Sequence, residues 1–276
     1  MANALLRWAG SKRKLVPVLR QHWGDCQGRY IEPFAGSACL FFALEPPAAI
    51  IGDINSDLIE SYSIIRTNPD EVHRRLVRAR STSTNYYRVR NLDPTTLSPI
   101  ERAVRFCFLN RYCFNGPYRT NTDGRFNVPY GGQKSGNPPT LRTFRAAADL
   151  LGRATLIAGG FEKVLNLERE GDFVYLDPPY RVSSRRVFRE YDPSSFSKPD
   201  LERLCGWLEE LECRQVHFLA SYAESAEARL LAKGFYTRRV RLRRNIAGFT
   251  GSRRTASELL ISNRPLSKNR SRRDPY

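Results

Sequence analysis

The sequence predicts an α/β protein organised on a mostly parallel sheet. Three short, continuous apolar runs, Tyr30-Ile31, Ala48 to Ile51 and Phe173 to Leu176, have the length and composition of strands buried on both faces. Each ends at a loop containing glycine, proline or acidic residues, and ligands of open α/β sheets bind beyond the carboxyl ends of such strands. The three loops are therefore expected to open on one crevice.

In chain order, Tyr30-Ile31 leads through Glu32-Pro33-Phe34-Ala35-Gly36-Ser37 into the apolar run Ala38 to Leu44, a strand, turn and helix. The second strand ends at Gly52-Asp53-Ile54-Asn55 and the third at Asp177-Pro178-Pro179-Tyr180. About 120 residues separate these two strands, far more than one helical crossover needs, so a module is inserted there. Within it, Asp57 to Arg80 carries apolar residues at helical spacing. Ser98-Pro99-Ile100-Glu101 is a capping box with proline in the first turn, opening a helix over Ser98 to Phe114 with Ile100, Val104 and Phe108 on one face. Thr122-Asp123-Gly124-Arg125 reads as a hairpin tip. Past the third strand, Lys198 to Glu212 has helical periodicity, and Val216 to Ser221 and Glu258 to Ser262 read as strands. The Arg- and Gly-rich stretch from Arg238 to Arg254 is expected to be a loop. This gives an α/β domain over 1–56 and 146–263, a mainly helical insert over 57–145 with a hairpin at about 115–132, and a basic tail over 264–276.

Composition narrows the partners. The chain of 276 residues is 41% apolar, enough for a sizeable core, and contains no run approaching a membrane span. Its N-terminus lacks the apolar stretch of a signal peptide, so the expected location is the cytoplasm. A formal charge of +17 opposes compaction unless an acidic partner offsets it, and polyphosphate is the natural one. Of the 45 basic residues 38 are arginine, whose planar fork suits phosphates and guanine edges, although GC-rich coding favours arginine too. Arginines and tyrosines interleave in the insert, at Tyr86, Tyr87, Arg88, Arg90, Arg111, Tyr112, Tyr118, Arg119 and Arg125. The six cysteines form no CxxC pair and no cluster with histidine, so reduced thiols and no metal are expected. His22, His73 and His217 are isolated from one another and read as structural.

Asp177-Pro178-Pro179-Tyr180 carries the clearest chemistry. Successive prolines stiffen the backbone, so a main-chain carbonyl and the Asp177 carboxylate can be aimed at one point. Two such acceptors suit an exocyclic amine: by gripping its hydrogens they localise a lone pair otherwise delocalised into an aromatic ring. Tyr180 offers a face on which an extruded base can stack. Gly10-Ser11-Lys12 is not a phosphate loop, since the upstream glycine and preceding strand are missing.

These residues resemble the catalytic motif of the Dam-type, alpha-class DNA adenine methyltransferases, and other stretches match in that family's order. Arg7-Trp8-Ala9-Gly10-Ser11-Lys12 is similar to its N-terminal KWAGGK element, which implies that Lys12 meets the methionine carboxylate of S-adenosyl-L-methionine. Tyr30 to Ser37 resembles its FVEPFxGGG stretch, implying that Phe34 and Gly36 line the cofactor, with Ser37-Ala38 departing from the usual glycines. Asp53 takes the acidic position that binds ribose hydroxyls. Trp8, Gly10, Phe161 and Asp177 complete the implied cofactor set. Asn115-Gly116, Arg119, Asn121 and Gly124 to Gly131 resemble the family's DNA-reading hairpin NGxxRxNxxGxFNVPFG, which implies DNA contacts from Asn115, Arg119, Asn121, Arg125, Asn127 and Tyr130. Asp123 stands where many members carry a basic residue. Glu258 to Asn263 is similar to the closing strand.

The resemblance implies a Rossmann-like methyltransferase fold, with transfer of a methyl group to N6 of a flipped adenine in double-stranded DNA at GATC or a related short site. It implies catalysis by Asp177, Pro178, Pro179 and Tyr180, no metal, a monomer in solution, and room for a cognate restriction enzyme in the host. An RNA or protein amide methyltransferase is the alternative enzyme; protein-glutamine members typically carry Asn in place of Asp177. A catalytically inactive DNA-binding protein is the alternative of another class, and intact Lys12, Asp53, Asp177 and Tyr180 argue against it.

Overall fold

The computed structural model describes residues 4–24, 26–132, 135–179, 196–243 and 255–266. Its strands are β1 (Tyr30–Glu32), β2 (Ala49–Asp53), β3 (Ala154–Ala158), β4 (Phe173–Leu176), β5 (His217–Ala223), β6 (Tyr236–Arg243) and β7 (Thr255–Ser262). Among the described residues they form one sheet in the order β3-β2-β1-β4-β5-β7-β6. The five strands from β3 to β5 are parallel, and β7 runs antiparallel to both β5 and β6. The chain thus moves outward from β1 through β2 to β3, then returns to β4 on the other side of β1. That reversal opens a crevice above the carboxyl ends of β1 and β4.

Alternation along the central strands sends side chains to two cores. Tyr30, Phe173 and Tyr175 lie in the core of one face, with α2 (Cys39–Leu44), α3 (Ser56–Thr67) and α7 (Leu141–Leu151). Ile31, Val174 and Leu176 pack on the other face against α8 (Phe161–Leu165), α9 (Lys198–Cys213) and α10 (Ala226–Leu231). Continuous apolar runs result because every strand residue is buried on one side or the other. The short α1 (Val16–Leu19) precedes β1 and buries Leu19.

Between β2 and β3 lie α3, α4 (Pro69–Arg78), α5 (Ser83–Arg90), α6 (Pro99–Tyr112) and α7. The predicted capping box forms: Ser98 accepts from the Glu101 N–H, and Glu101 accepts from the Ser98 N–H at 2.9 Å. The helix expected over Asp57 to Arg80 is instead two helices, because Pro69 disfavours helical backbone at Asn68 and starts α4 afresh. The predicted hairpin is present as antiparallel bridges Cys113↔Tyr130 and Thr120↔Phe126, with Gly124 at φ 73° at its tip. No helix among the described residues is long and apolar enough to cross a membrane.

Two further departures from the sequence reading concern the sheet margins. Arg238 to Arg243, expected as loop, belongs to β6, which pairs with β7 from Tyr236↔Ser262 to Arg243↔Thr255; the rest of that stretch, 244–254, lies outside the described residues. An edge strand tolerates arginines because one side faces solvent, and charge there discourages pairing with other chains. β3 was not anticipated, since as the opposite edge its Thr155-Leu156-Ile157 is only partly covered and lacks a clear apolar run.

Candidate active site

The crevice holds a cleft of about 990 Å³, lined from three loops at the carboxyl ends of β1, β2 and β4, from the N-terminal segment, and from the hairpin. The β1 loop is held in place by its own hydrogen bonds. Ala35 N–H donates to Gly52 O at 2.9 Å, Gly36 N–H donates to Asp53 Oδ2 at 2.9 Å, and the buried Tyr62 hydroxyl donates to Gly36 O at 2.8 Å. Gly36 has φ 46° and lies under Trp8, where a Cβ would sit 2.6 Å from the indole Cδ1. Ala38, one of the two departures from the family's glycines, adopts the left-handed region at φ 47°. A residue with a Cβ costs roughly 1–2 kcal/mol there; the strain explains why glycine is the usual occupant.

Asp53 closes β2 with both oxygens engaged: Oδ1 accepts from Asn55 N–H at 2.9 Å while Oδ2 accepts from Gly36 N–H. Asn55 in turn caps α3 by accepting from Leu58 N–H at 3.0 Å. Burial raises the Asp53 pKa and these main-chain donors hold it down. The carboxylate is fixed at the lip with lone pairs left for further donors. Next to it, Phe34 and Phe161 pack with ring centroids 5.4 Å apart, and Phe196 meets Phe34 edge-on at 6.0 Å, forming an apolar wall.

Asp177, Pro178 and Pro179 form the floor at the end of β4. Lys12, only 4% exposed, places its ammonium 2.8 Å from Asp177 Oδ1 and donates to Gly10 O at 3.2 Å. Burial pushes the Asp177 carboxyl up to about 6 against the pull of Lys12; the negative charge of Glu258 adds to the rise and a hydrogen bond from Ser221 opposes it. Glu32, at the end of β1, is also buried and accepts from the Tyr30 hydroxyl at 2.9 Å. Burial, with Asp177 and Asp53 adding to it, carries its pKa well above the carboxylate range despite that bond. On the thiol of Cys39 burial acts similarly, pushing it up to about 11.

The structure gathers Trp8, Gly10, Lys12, Phe34, Gly36, Asp53, Phe161 and Asp177 around this single cleft, together with Pro178 and Pro179. Tyr180 lies outside the described residues. The hairpin residues are only partly arranged as a reading surface. Arg125 is exposed, as is Asn115 with its backbone at φ 61°. Arg119 Nε donates to Asn127 Oδ1 at 2.7 Å, and Asn121 Oδ1 accepts from the N–H groups of Asp123 and Arg125, so both asparagines hold the hairpin's own shape. Tyr130 packs on Tyr86 and its hydroxyl donates to Ser81 O.

Several contributors escaped the sequence reading. Tyr118 stacks on Trp8 with centroids 6.2 Å apart and donates to Asp57 at 2.6 Å, which brings the hairpin residues Thr120 and Gly124 to the cleft wall. Glu162 and Asp200, bridged by Arg203 at 2.8 and 2.5 Å, form the opposite lip. Glu258 sits 4.0 Å behind Lys12. A carboxylate heading an apolar strand was the one available signal for Glu258; nothing local marks the others.

Residues 8–246 match the family model described as D12 class N6 adenine-specific DNA methyltransferase, a span that takes in the N-terminal segment, all three loops and the hairpin. The chain belongs to that family. Among its relatives, the type II methyltransferase M1.LlaDCHI of Lactococcus lactis subsp. cremoris is 32% identical over 266 residues, covering 93% of this chain and 94% of the relative. The DNA adenine methylase of Escherichia coli K12 is 31% identical over 274 residues, with 95% and 96% covered, and that of Serratia marcescens is 36% identical over 209 residues, with 73% and 76% covered. As a D12-class enzyme it is a DNA adenine methyltransferase, and the seven-stranded, mostly parallel sheet among its described residues is the Rossmann-like fold expected of one. Among the described residues no group of His, Cys, Asp and Glu could hold a metal ion.

Proposed function

We propose that this D12-class methyltransferase takes its methyl group from S-adenosyl-L-methionine and places it on N6 of an adenine turned out of double-stranded DNA, at GATC or a closely related site. The observation that carries the reading is that Lys12, Asp53 and Asp177, drawn from three separate segments, face one cleft with an aromatic wall beside it. The donor set fits the cofactor. Asp53 is pinned at the end of β2, where a carboxylate accepts ribose hydroxyls; Phe34 and Phe161 offer the apolar faces a purine needs; Lys12 supplies a cation for a carboxylate. When bound, S-adenosyl-L-methionine supplies an electrophilic methyl on a sulfonium sulfur.

The chain's own residues do the rest. Ionised Asp177 and a main-chain carbonyl of the stiff Pro178-Pro179 segment accept the two N6 hydrogens, which turns the nitrogen lone pair out of the ring and toward the methyl carbon. The N–C bond forms as the C–S bond breaks, its electron pair leaving on sulfur as a neutral thioether, and the proton lost from N6 passes to solvent water. Tyr180 follows directly in sequence and stacks on the extruded base. Arg125 at the hairpin tip and Arg119 on its arm address base edges in the major groove, while the scattered arginines of the C-terminal tail contact phosphates.

Duplex oligonucleotides that differ only in scrambling a central GATC test the proposal. Labelled methyl from S-adenosyl-L-methionine should appear as N6-methyladenine in the GATC duplex, and Asp177→Ala should abolish it. Equal labelling of both duplexes would leave the chemistry standing and remove the site.

A further inference from the structure

We propose that Asn110 and Tyr118 are positioning residues through which the DNA-reading insert sets the wall of the cleft formed by Trp8 and Lys12, so that a target site held by the hairpin strengthens cofactor binding. This rests on the reading above, in which that cleft takes S-adenosyl-L-methionine and the hairpin takes DNA.

Residues 4–15 form neither helix nor strand, so contacts with other elements fix where Trp8 and Lys12 stand. Several of those contacts come from the insert. Asn110, in the last turn of α6 and 4% exposed, pairs with Arg7 as one strand pairs with another: its Oδ1 accepts from the Arg7 N–H at 2.9 Å and its Nδ2 donates to Arg7 O at 2.6 Å. One side chain thus satisfies both main-chain groups of Arg7, and its loss would strip them of these bonds in a poorly hydrated place. The Arg7 guanidinium adds a bond from Nη1 to Arg111 O at 3.0 Å. Gly116, at φ 76° near the base of the hairpin, lies so close that a Cβ there would sit 2.9 Å from Arg7 Cβ. One residue further on, Trp8 is held from two sides: Tyr118 stacks on it with the rings 14° from parallel, and Gly36 of the β1 loop lies against its indole. Tyr118 also stacks on Phe106 of α6 at 5.3 Å and donates to Asp57, in the first turn of α3 directly after the β2 loop. Its neighbour in sequence is Arg119, and Thr120 beyond that lines the cleft. The hairpin is therefore stitched to the N-terminal segment and to the start of α3, both of which border the cofactor cleft. Fixing the hairpin on DNA fixes the far end of these contacts, so the cofactor meets a wall already in place and less freedom is lost in ordering it. By linkage the cofactor strengthens DNA binding by the same factor.

Calorimetric titration of the full chain with the unreactive S-adenosyl-L-homocysteine, alone and with a GATC duplex lacking the base of the target adenine, tests this. With that base missing, nothing extruded from the duplex can touch the ligand, and any linkage runs through the protein. The duplex should raise wild-type affinity for the ligand at least about fivefold, the low end of typical coupling. Asn110→Ala should bring the factor down to about one. Tyr118→Leu keeps an apolar group against Phe106 but loses the stack on Trp8 and the bond to Asp57, and it should bring the factor below about twofold. A residue that serves folding alone would lower affinity equally with and without DNA. An unchanged factor in either folded variant therefore overturns the proposal, as does a factor of one in a wild-type chain that binds both partners. If circular dichroism shows that Asn110→Ala does not fold, Tyr118→Leu decides by itself. A wild-type chain that binds no S-adenosyl-L-homocysteine, or that binds a scrambled duplex as well as GATC, overturns the reading above instead.

Discussion

At Asp177 burial, with the negative charge of Glu258 adding to it, prevails over Lys12 and Ser221 and pushes the carboxyl up to about 6. As an acceptor of amine hydrogens it works only when ionised. For methyl transfer, kcat/KM should consequently rise with pH through about 6 and level off above it; a pH–rate profile flat between 5 and 8 would remove Asp177 from that role. Asp177→Ala should slow methyl transfer by at least ~10³-fold, the scale of losing a preorganised transition-state hydrogen bond, while DNA binding survives. Single-turnover kinetics beside a DNA-binding titration separates the two effects. Asp53→Ala should weaken cofactor binding by ~2 kcal/mol, roughly thirtyfold, because a carboxylate accepting hydroxyl bonds is charge-assisted. Unchanged affinity in calorimetry would exclude Asp53 from the cofactor site. These residues were legible in the sequence because each ends a buried strand, where side-chain type and position in the fold are read together. Glu258, Tyr118 and Arg203 were not, because their roles come from contacts across 246, 110 and 41 positions, to Lys12, Trp8 and Glu162.

Among the elements, the hairpin separates shape from readout. Asn121 accepts two main-chain N–H groups across the turn, whereas the Arg125 side chain projects from it into solvent. Arg125→Ala should thus cost ~1–3 kcal/mol at the cognate site and relax the sequence preference. Asn121→Ala should loosen the turn and weaken binding to all sequences. Competition binding with single-base variants of the site distinguishes these outcomes, and a uniform loss in Arg125→Ala would mean that it contacts phosphate only. Strands with continuous apolar runs and the Ser98 capping box were readable because their signals are local. The edge strands β3 and β6 were not, since an edge is defined by its one neighbour in the sheet, and Arg238 to Arg243 looks like loop until β7 pairs with it.

For the whole molecule, the charge of +17 and the clustering of three strand-end loops were both visible in the sequence, and they fit the two partners proposed for the chain, a polyanion outside and a methyl donor within. The arginine-rich tail belongs to the first. Truncation after Asn263 removes Arg264, Lys268, Arg270, Arg272 and Arg273, so binding should weaken for all DNA sequences about equally and the salt dependence should flatten. A truncated chain with altered sequence preference but the same salt slope would contradict a purely phosphate-seeking tail. Transfer of a methyl group to adenine N6 at a short fixed site can be read out by expressing the chain in cells that lack adenine methylation and mapping modified bases across the genome. N6-methyladenine should concentrate at GATC in the wild type and be absent with Asp177→Ala; methylated cytosine without methylated adenine would contradict transfer to adenine.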